Sequence, residues 1–182
     1  MVPMSVLHLP VNHPLRPLYR VLAGLAGLYV LIFGIVGFTK TSGMAFFAQD
    51  DLPHAMGLKT NRAFALLSII VGVVIVVGAL IGRNVDHLIN LAGGVVFLLA
   101  GMIMLTLLRT NVNFLGFDVS TCIVSFIIGG VMATAGLYGK VGTPEQAAME
   151  EGFRHGTPDP TDHKWKFHGP PKDPERSTSR FA

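Results

Sequence analysis

Four stretches of the chain, 21–38, 63–82, 91–108 and 122–139, carry no charged side chain, and each runs for 18 residues or more. A helix rises about 1.5 Å per residue, so each stretch with a few flanking residues covers the roughly 30 Å hydrocarbon core of a bilayer. Buried strands are excluded by length, because strands in soluble domains run about 4 to 8 residues. The expected fold is therefore an all-α integral membrane protein, a bundle of four transmembrane helices with spans at about 18–38, 63–82, 88–108 and 119–139. Composition agrees: 51% of the residues are hydrophobic and 14% charged. The first run is too long for the apolar part of a cleaved signal peptide, and TKTSGMAFF after it lacks a small-x-small cleavage pattern, so it is expected to remain as an anchor. The bilayer is the first partner the sequence implies.

Charge then orients the bundle. With four spans, residues 1–17, the turn between the second and third spans and the tail 140–182 share one side. Counted near the span ends, that side holds Arg16, Arg20, Arg83, Lys140 and Arg154, against Lys40, Lys59, Arg62 and Arg109 on the other. The excess of Lys and Arg favours both termini in the cytoplasm, in a plasma membrane. A net charge of +3 suits an anionic inner leaflet and requires no nucleic acid partner.

One stretch, RNVDHLINLAGG at 83–94, brings polar residues against the apolar runs. Residues 83–87 read as a five-residue hairpin turn, with Asn84 or Asp86 capping the third helix, Asp86 at the positive end of its dipole and Arg83 marking the interface. His87 and Asn90 exceed what capping needs. A carboxamide entering the apolar zone calls for a hydrogen bond across to another helix. Arg83, Asn84, Asp86, His87 and Asn90 thus form the candidate structural or functional turn, with capping weighed against a proton or ligand site.

The spans also carry small residues at helical spacing. Ser125, Gly129, Ala133 and Gly136 form a stripe on the fourth span, and Ser68, Gly72 and Ala79 echo it on the second. Lipid gives helices no hydrophobic reason to associate, so close backbone approach along such stripes is a main source of packing energy. Spans two and four match at an offset of 57, as in Ser68 with Ser125 and Gly72 with Gly129, while Leu22-Ala23-Gly24 and Leu91-Ala92-Gly93 match at 69. Two duplicated helical hairpins would give this pattern, with a 12-residue excess (69 − 57) in the first outer loop; chance matches among Gly, Leu and Val would also give it.

What the spans lack narrows the function. No Asp, Glu, Lys, Arg or His lies between the interfaces, as ion pathways, proton relays and voltage sensors need. No span is proline-broken as in transporter sites, and no histidine sits at haem depth. The single cysteine, Cys122, excludes an intrachain disulfide and a CxxC site. In the loop 39–62, Asp50, Asp51 and His54 are the only outer acid and histidine group; Asp51 before Leu52-Pro53 reads as a helix cap as readily as a metal ligand. No cofactor, metal site or catalytic residue is expected.

Beyond Lys140 the sequence turns polar. Thr143-Pro144-Glu145-Gln146 is a capping box that starts a short helix at about 144–153, followed by a proline-rich tail expected to be largely disordered. Lys164, Trp165, Lys166 and Phe167 form the candidate docking segment within it.

HPLRPLYRVLAGLAGLYVLIFGIVG, FFAQDDLP, RNVDHLINLAGG and NFLGFDVSTCIVSFIIGGVMATAGLYG together resemble the actinobacterial membrane proteins catalogued as a domain of unknown function of the 4383 type, over residues 14–141. Asn84, Asp86, His87 and Asn90 are the most distinctive part. The resemblance implies four membrane helices in an actinobacterial plasma membrane and brings no activity, cofactor or catalytic residue. The function expected is a non-catalytic accessory, assembly or stress-related membrane component. It would meet a membrane-protein partner or a second copy of itself through its helix stripes, turn and tail. The alternative is a small pore or carrier for a neutral solute.

Overall fold

The computed structural model describes residues 12–143 of the 182-residue chain. The chain divides into a unit ending at Val141 and a second unit from Gly142 to Ala182, of which only Gly142 and Thr143 fall within the described residues. The proposed helix at 144–153, the tail and its segment Lys164, Trp165, Lys166 and Phe167 lie outside them.

Among its described residues the first unit has four helices, α1 (Arg16–Lys40), α2 (Arg62–Ile81), α3 (Arg83–Leu107) and α4 (Val119–Tyr138), each long and apolar enough to cross a membrane. Pro17 lies in the first turn of α1, where its missing N–H has no partner to lose. Asn61 and Asp118 cap α2 and α4, their side chains accepting from the backbone N–H of Phe64 and Thr121. α1 packs along α2 and α3 along α4 far more extensively than α2 packs on α3. The molecule is therefore two antiparallel helical hairpins set side by side, joined mainly through α1 and α4. Val30, Ile75, Ile128 and Met132, one from α1, one from α2 and two from α4, fill the centre. The outward faces are apolar, as on α1, where Leu18, Val21, Leu25, Leu28, Ile32 and Ile35 are all exposed.

The first loop folds back as a small hairpin, β1 (His54–Ala55) with β2 (Leu58–Lys59) antiparallel, His54 opposite Lys59 and Ala55 opposite Leu58. Met56 and Gly57 turn it with φ of 49° and 87°, the left-handed pair that a two-residue hairpin turn requires. Ala55 and Leu58 are buried against Phe33 of α1. Asp51, read from sequence as a possible helix cap, has no helix behind it; strand pairing takes the segment instead.

The helix starts give spacings of their own beside those matched in sequence. α1 and α3 are each 25 residues long and start 67 apart (83 − 16), not 69, while α2 and α4 are each 20 and start 57 apart (119 − 62).

Candidate functional site

The polar stretch at 83–94 folds differently from the turn expected. α2 and α3 meet at Gly82 alone, and residues 83–86 already form the first turn of α3. Gly82 has φ of 70°, a left-handed conformation that suits glycine, and a Cβ there would fall 2.7 Å from Cζ of Arg20. Arg83 follows with φ of 56°, so the reversal is made by two residues with positive φ, and the rest of the expected five-residue turn is helix. Neither Asn84 nor Asp86 caps α3, which has no side-chain cap. Asn84 Oδ1 instead accepts from the backbone N–H of Val141 at 3.0 Å, tying the start of α3 to the chain leaving α4.

Asp86 and Asn90 point inward, 2% and 1% exposed. One turn apart on α3, they bond to each other: Asn90 Nδ2 donates to Asp86 Oδ1 at 2.7 Å. The bond expected across to another helix is not there, because i and i+4 on one helix already meet. Asn90 Oδ1 is left buried with no hydrogen-bond partner.

The cross-helix link is made by His87, whose Nδ1 donates to the carbonyl of Gly136 near the end of α4. A carbonyl can only accept, so this ring nitrogen carries the hydrogen. Arg20 on α1 does the same for α2: its Nε donates to the carbonyl of Ala79 and its Nη2 to that of Leu80 at 2.8 Å. Arg16 Nε donates to the carbonyl of Gly139 at 3.1 Å. The targets lie at helix ends, where carbonyls run short of helical N–H partners: Ala79 and Leu80 in the last turn of α2, Gly136 in the last turn of α4, where it also accepts from the N–H of Gly139 at 3.4 Å, and Gly139 just past it. Cationic donors suit the negative end of the helix dipole as well. The rings of His13, Tyr19 and Tyr138 cluster beside these bonds, with Tyr19 and Tyr138 centroids 5.6 Å apart. This end of the bundle, where α1 starts and α4 ends, is a set of helix-end clamps. Arg16 and Arg20 figured in the sequence only as topology charges; their spacing of four, on one helix face, was the available signal.

The small-residue stripes lie between paired helices. A Cβ on Gly72 would sit 2.6 Å from the backbone nitrogen of Leu31, and one on Gly129 would sit 2.9 Å from that of Leu98. Ala133 lies against Gly94, Gly136 against Leu91, and Ala79 against Gly24. Ser68 and Ser125 are buried, and Ser68 Oγ donates to the carbonyl of Phe64 at 2.8 Å.

At the opposite end sequence reading missed Asn61, which is wholly buried. Its Nδ2 donates to the carbonyls of Ala48 and Phe114 at 2.9 and 2.7 Å, and its Oδ1 caps α2, so one side chain joins both end loops. An asparagine immediately before an apolar run is an N-cap signal. Asp50, Asp51 and His54 are exposed, and among the described residues no group of three or more His, Cys, Asp or Glu side chains gathers.

With this geometry in view, the family can be assigned. The family model for a domain of unknown function (DUF4383) matches residues 20–138, which is 119 of the 182 residues. The chain belongs to the DUF4383 family. The match runs from Arg20 to Tyr138 and so takes in most of α1, all of α2, α3 and α4, and the Arg20 and His87 clamps. No curated protein and no solved structure matches this DUF4383 chain.

Proposed function

We propose that this DUF4383 protein is a non-catalytic component of the plasma membrane, its four helices spanning the bilayer with both termini in the cytoplasm, and that it serves as an accessory or assembly subunit. One observation carries the reading. The polar side chains with chemical potential, Arg16, Arg20 and His87, are engaged in clamping helix ends, and Asp86 in bonding Asn90. The small-residue stripes pack inside the two hairpins, so in this reading the exposed residues at the clamped end and the tail make the partner contact.

The two hairpins are, in this reading, copies of one ancestral unit. At offsets of 67 for the first helix and 57 for the second, the packing coincides: Gly34 faces Ile69 and Ala65, and Gly101 faces Phe126 and Cys122. Gly72 faces Leu31 as Gly129 faces Leu98. The clamps coincide too, since Arg20 with Ala79 becomes His87 with Gly136 (20 + 67, 79 + 57).

Complementation of a deletion strain tests the reading. Asp86→Asn and His87→Gln keep hydrogen-bonding capacity and are expected to complement fully. A chain ending at residue 143 is expected to fold and to lose whatever copurifies with the intact protein in mild detergent. Loss of function in Asp86→Asn or His87→Gln at normal levels of folded protein would overturn the non-catalytic assignment.

A further inference from the structure

Within the bundle, on the side of the β-hairpin, lies a chamber of about 240 Å³ lined by residues of all four helices. Its walls include Val30, Phe33, Phe97, Met104, Val124 and Ile128. The polar side chains in the wall are Tyr29, Ser68, Thr121 and Ser125, and two of these hydroxyls already donate: Ser68 to the carbonyl of Phe64 and Thr121 to Asp118 Oδ1, both at 2.8 Å. Water needs two to four polar partners to occupy a cavity, and an apolar cavity of roughly 150 Å³ stays dry and takes benzene. This chamber is larger and calls for a hydrocarbon occupant.

The opening shows where that occupant comes from. Leu67 on α2 and Val96 and Ile103 on α3 are the strongly exposed wall residues, so the chamber opens between the two neighbouring helices that pack least on each other. Leu67 lies five residues into α2 (67 − 62), and Ile103 and Val96 lie four and eleven from the end of α3 (107 − 103, 107 − 96). At about 1.5 Å per residue the mouth therefore spans about 6 to 16 Å below the helix ends. The wall also carries the rings of Phe33, Phe64 and Phe117, packed on one another with Phe33 to Phe64 at 5.3 Å and Phe64 to Phe117 at 4.7 Å. These rings give a polar headgroup no hydrogen-bond partner, whereas a hydrocarbon chain can enter sideways from the bilayer.

We infer that the chamber binds the hydrocarbon chain of a membrane lipid, admitted laterally between α2 and α3. The inference rests on the helices spanning the bilayer as proposed above. The intact chain in nanodiscs containing phosphatidylglycerol with a diazirine on one acyl chain provides the test, read as the positions of photoadducts. Leu28 and Ile123 face outward and are expected to label from the surrounding bilayer. Val30, Phe33 and Ile128, 6%, 3% and 7% exposed, are out of reach of that lipid and label only if a chain enters. Ala100→Phe and, separately, Val124→Phe narrow the chamber and are expected to lower the interior adducts severalfold while leaving Leu28 and Ile123 unchanged. Adducts confined to outward residues, or interior adducts unaffected by both substitutions, would overturn the chamber as a lipid-chain site. Absence of adducts at Leu28 and Ile123 would instead refute the membrane placement itself.

Discussion

At the scale of single residues, His87 and Arg20 solve one problem with different chemistry. A helix ending at apolar depth leaves carbonyls without partners, and each unpaired buried polar group costs about 1 to 3 kcal/mol. His87 donates to Gly136 and Arg20 to Ala79 and Leu80. Replacing His87 with Ala is expected to lower stability by about 1 to 3 kcal/mol, and Arg20→Ala by a similar amount because two charge-assisted bonds are lost. His87→Gln retains an N–H donor and should recover part of the loss; unfolding in mixed micelles by added dodecyl sulfate measures all three. Equal losses for His87→Gln and His87→Ala would show that the donor is not what matters. Asp86 and Asn90 allow a sharper comparison, since they bond each other and Asn90 Oδ1 has no partner. Asp86→Leu alone should destabilise by about 1 to 3 kcal/mol by orphaning the rest of the carboxamide, while the double replacement Asp86→Leu with Asn90→Leu removes both ends and should be near neutral. Additive losses in the double variant would refute the pairing. The sequence marked these residues as unusual, but not their partners. Which carbonyl His87 reaches depends on how α3 pairs with α4, a non-local fact absent from the local pattern.

At the scale of elements, the four helices were legible because length and unbroken apolarity are local properties, and lipid-spanning length leaves strands no competing claim. Their ends were less so. α3 starts at Arg83, several residues earlier than charge placement implied, since Gly82 and Arg83, with φ of 70° and 56°, turn the chain between them. The β-hairpin was not read at all: two-residue strands carry no periodicity, and only Met56-Gly57 marks the turn. Glycine function likewise depends on the neighbour. A Cβ on Gly129 would press on Leu98 N at 2.9 Å and on the carbonyl oxygen of Gly94 at 3.1 Å, whereas one on Gly130 meets nothing within 4 Å. Gly129→Ala is therefore expected to cost about 1 to 3 kcal/mol by overpacking the α3–α4 seam. Gly130→Ala should stabilise by up to about 1 kcal/mol, since alanine is the better helix former. Thermal unfolding of the two variants in one detergent checks the contrast, and a shared sign would refute the assignment of the stripe to this seam.

At the scale of the whole molecule, each antiparallel hairpin returns the chain to the end of the bundle it left, so four spans would put both end loops on one side of a membrane and both termini on the other. Single cysteines at Ser42 and Asn111, both exposed, mark the two end loops, and one at Thr161 marks the tail. Cys122 is fully buried and can stay in place as an internal control. In intact cells an impermeant maleimide should label Ser42→Cys and Asn111→Cys and leave Thr161→Cys unlabelled until the membrane is opened. Labelling of Ser42→Cys and Asn111→Cys from opposite sides would refute the four-span arrangement; labelling of Thr161→Cys alone in intact cells would invert it. The margin that sets orientation is narrow, since Arg16, Arg20, Arg83, Lys140 and Arg154 face only one fewer cation, Lys40, Lys59, Arg62 and Arg109. Orientation follows the bias in Lys and Arg near the span ends and responds little to acidic residues. Two lysines added to the loops, Ser42→Lys with Asn111→Lys, reverse that margin without touching a helix. The Thr161→Cys reporter in this background should then be labelled in a measurable fraction of intact cells' protein. Two glutamates at the same positions should leave it protected. If the lysine pair shifts nothing, the clamps and loop packing, and not the charge bias, fix how the chain sits.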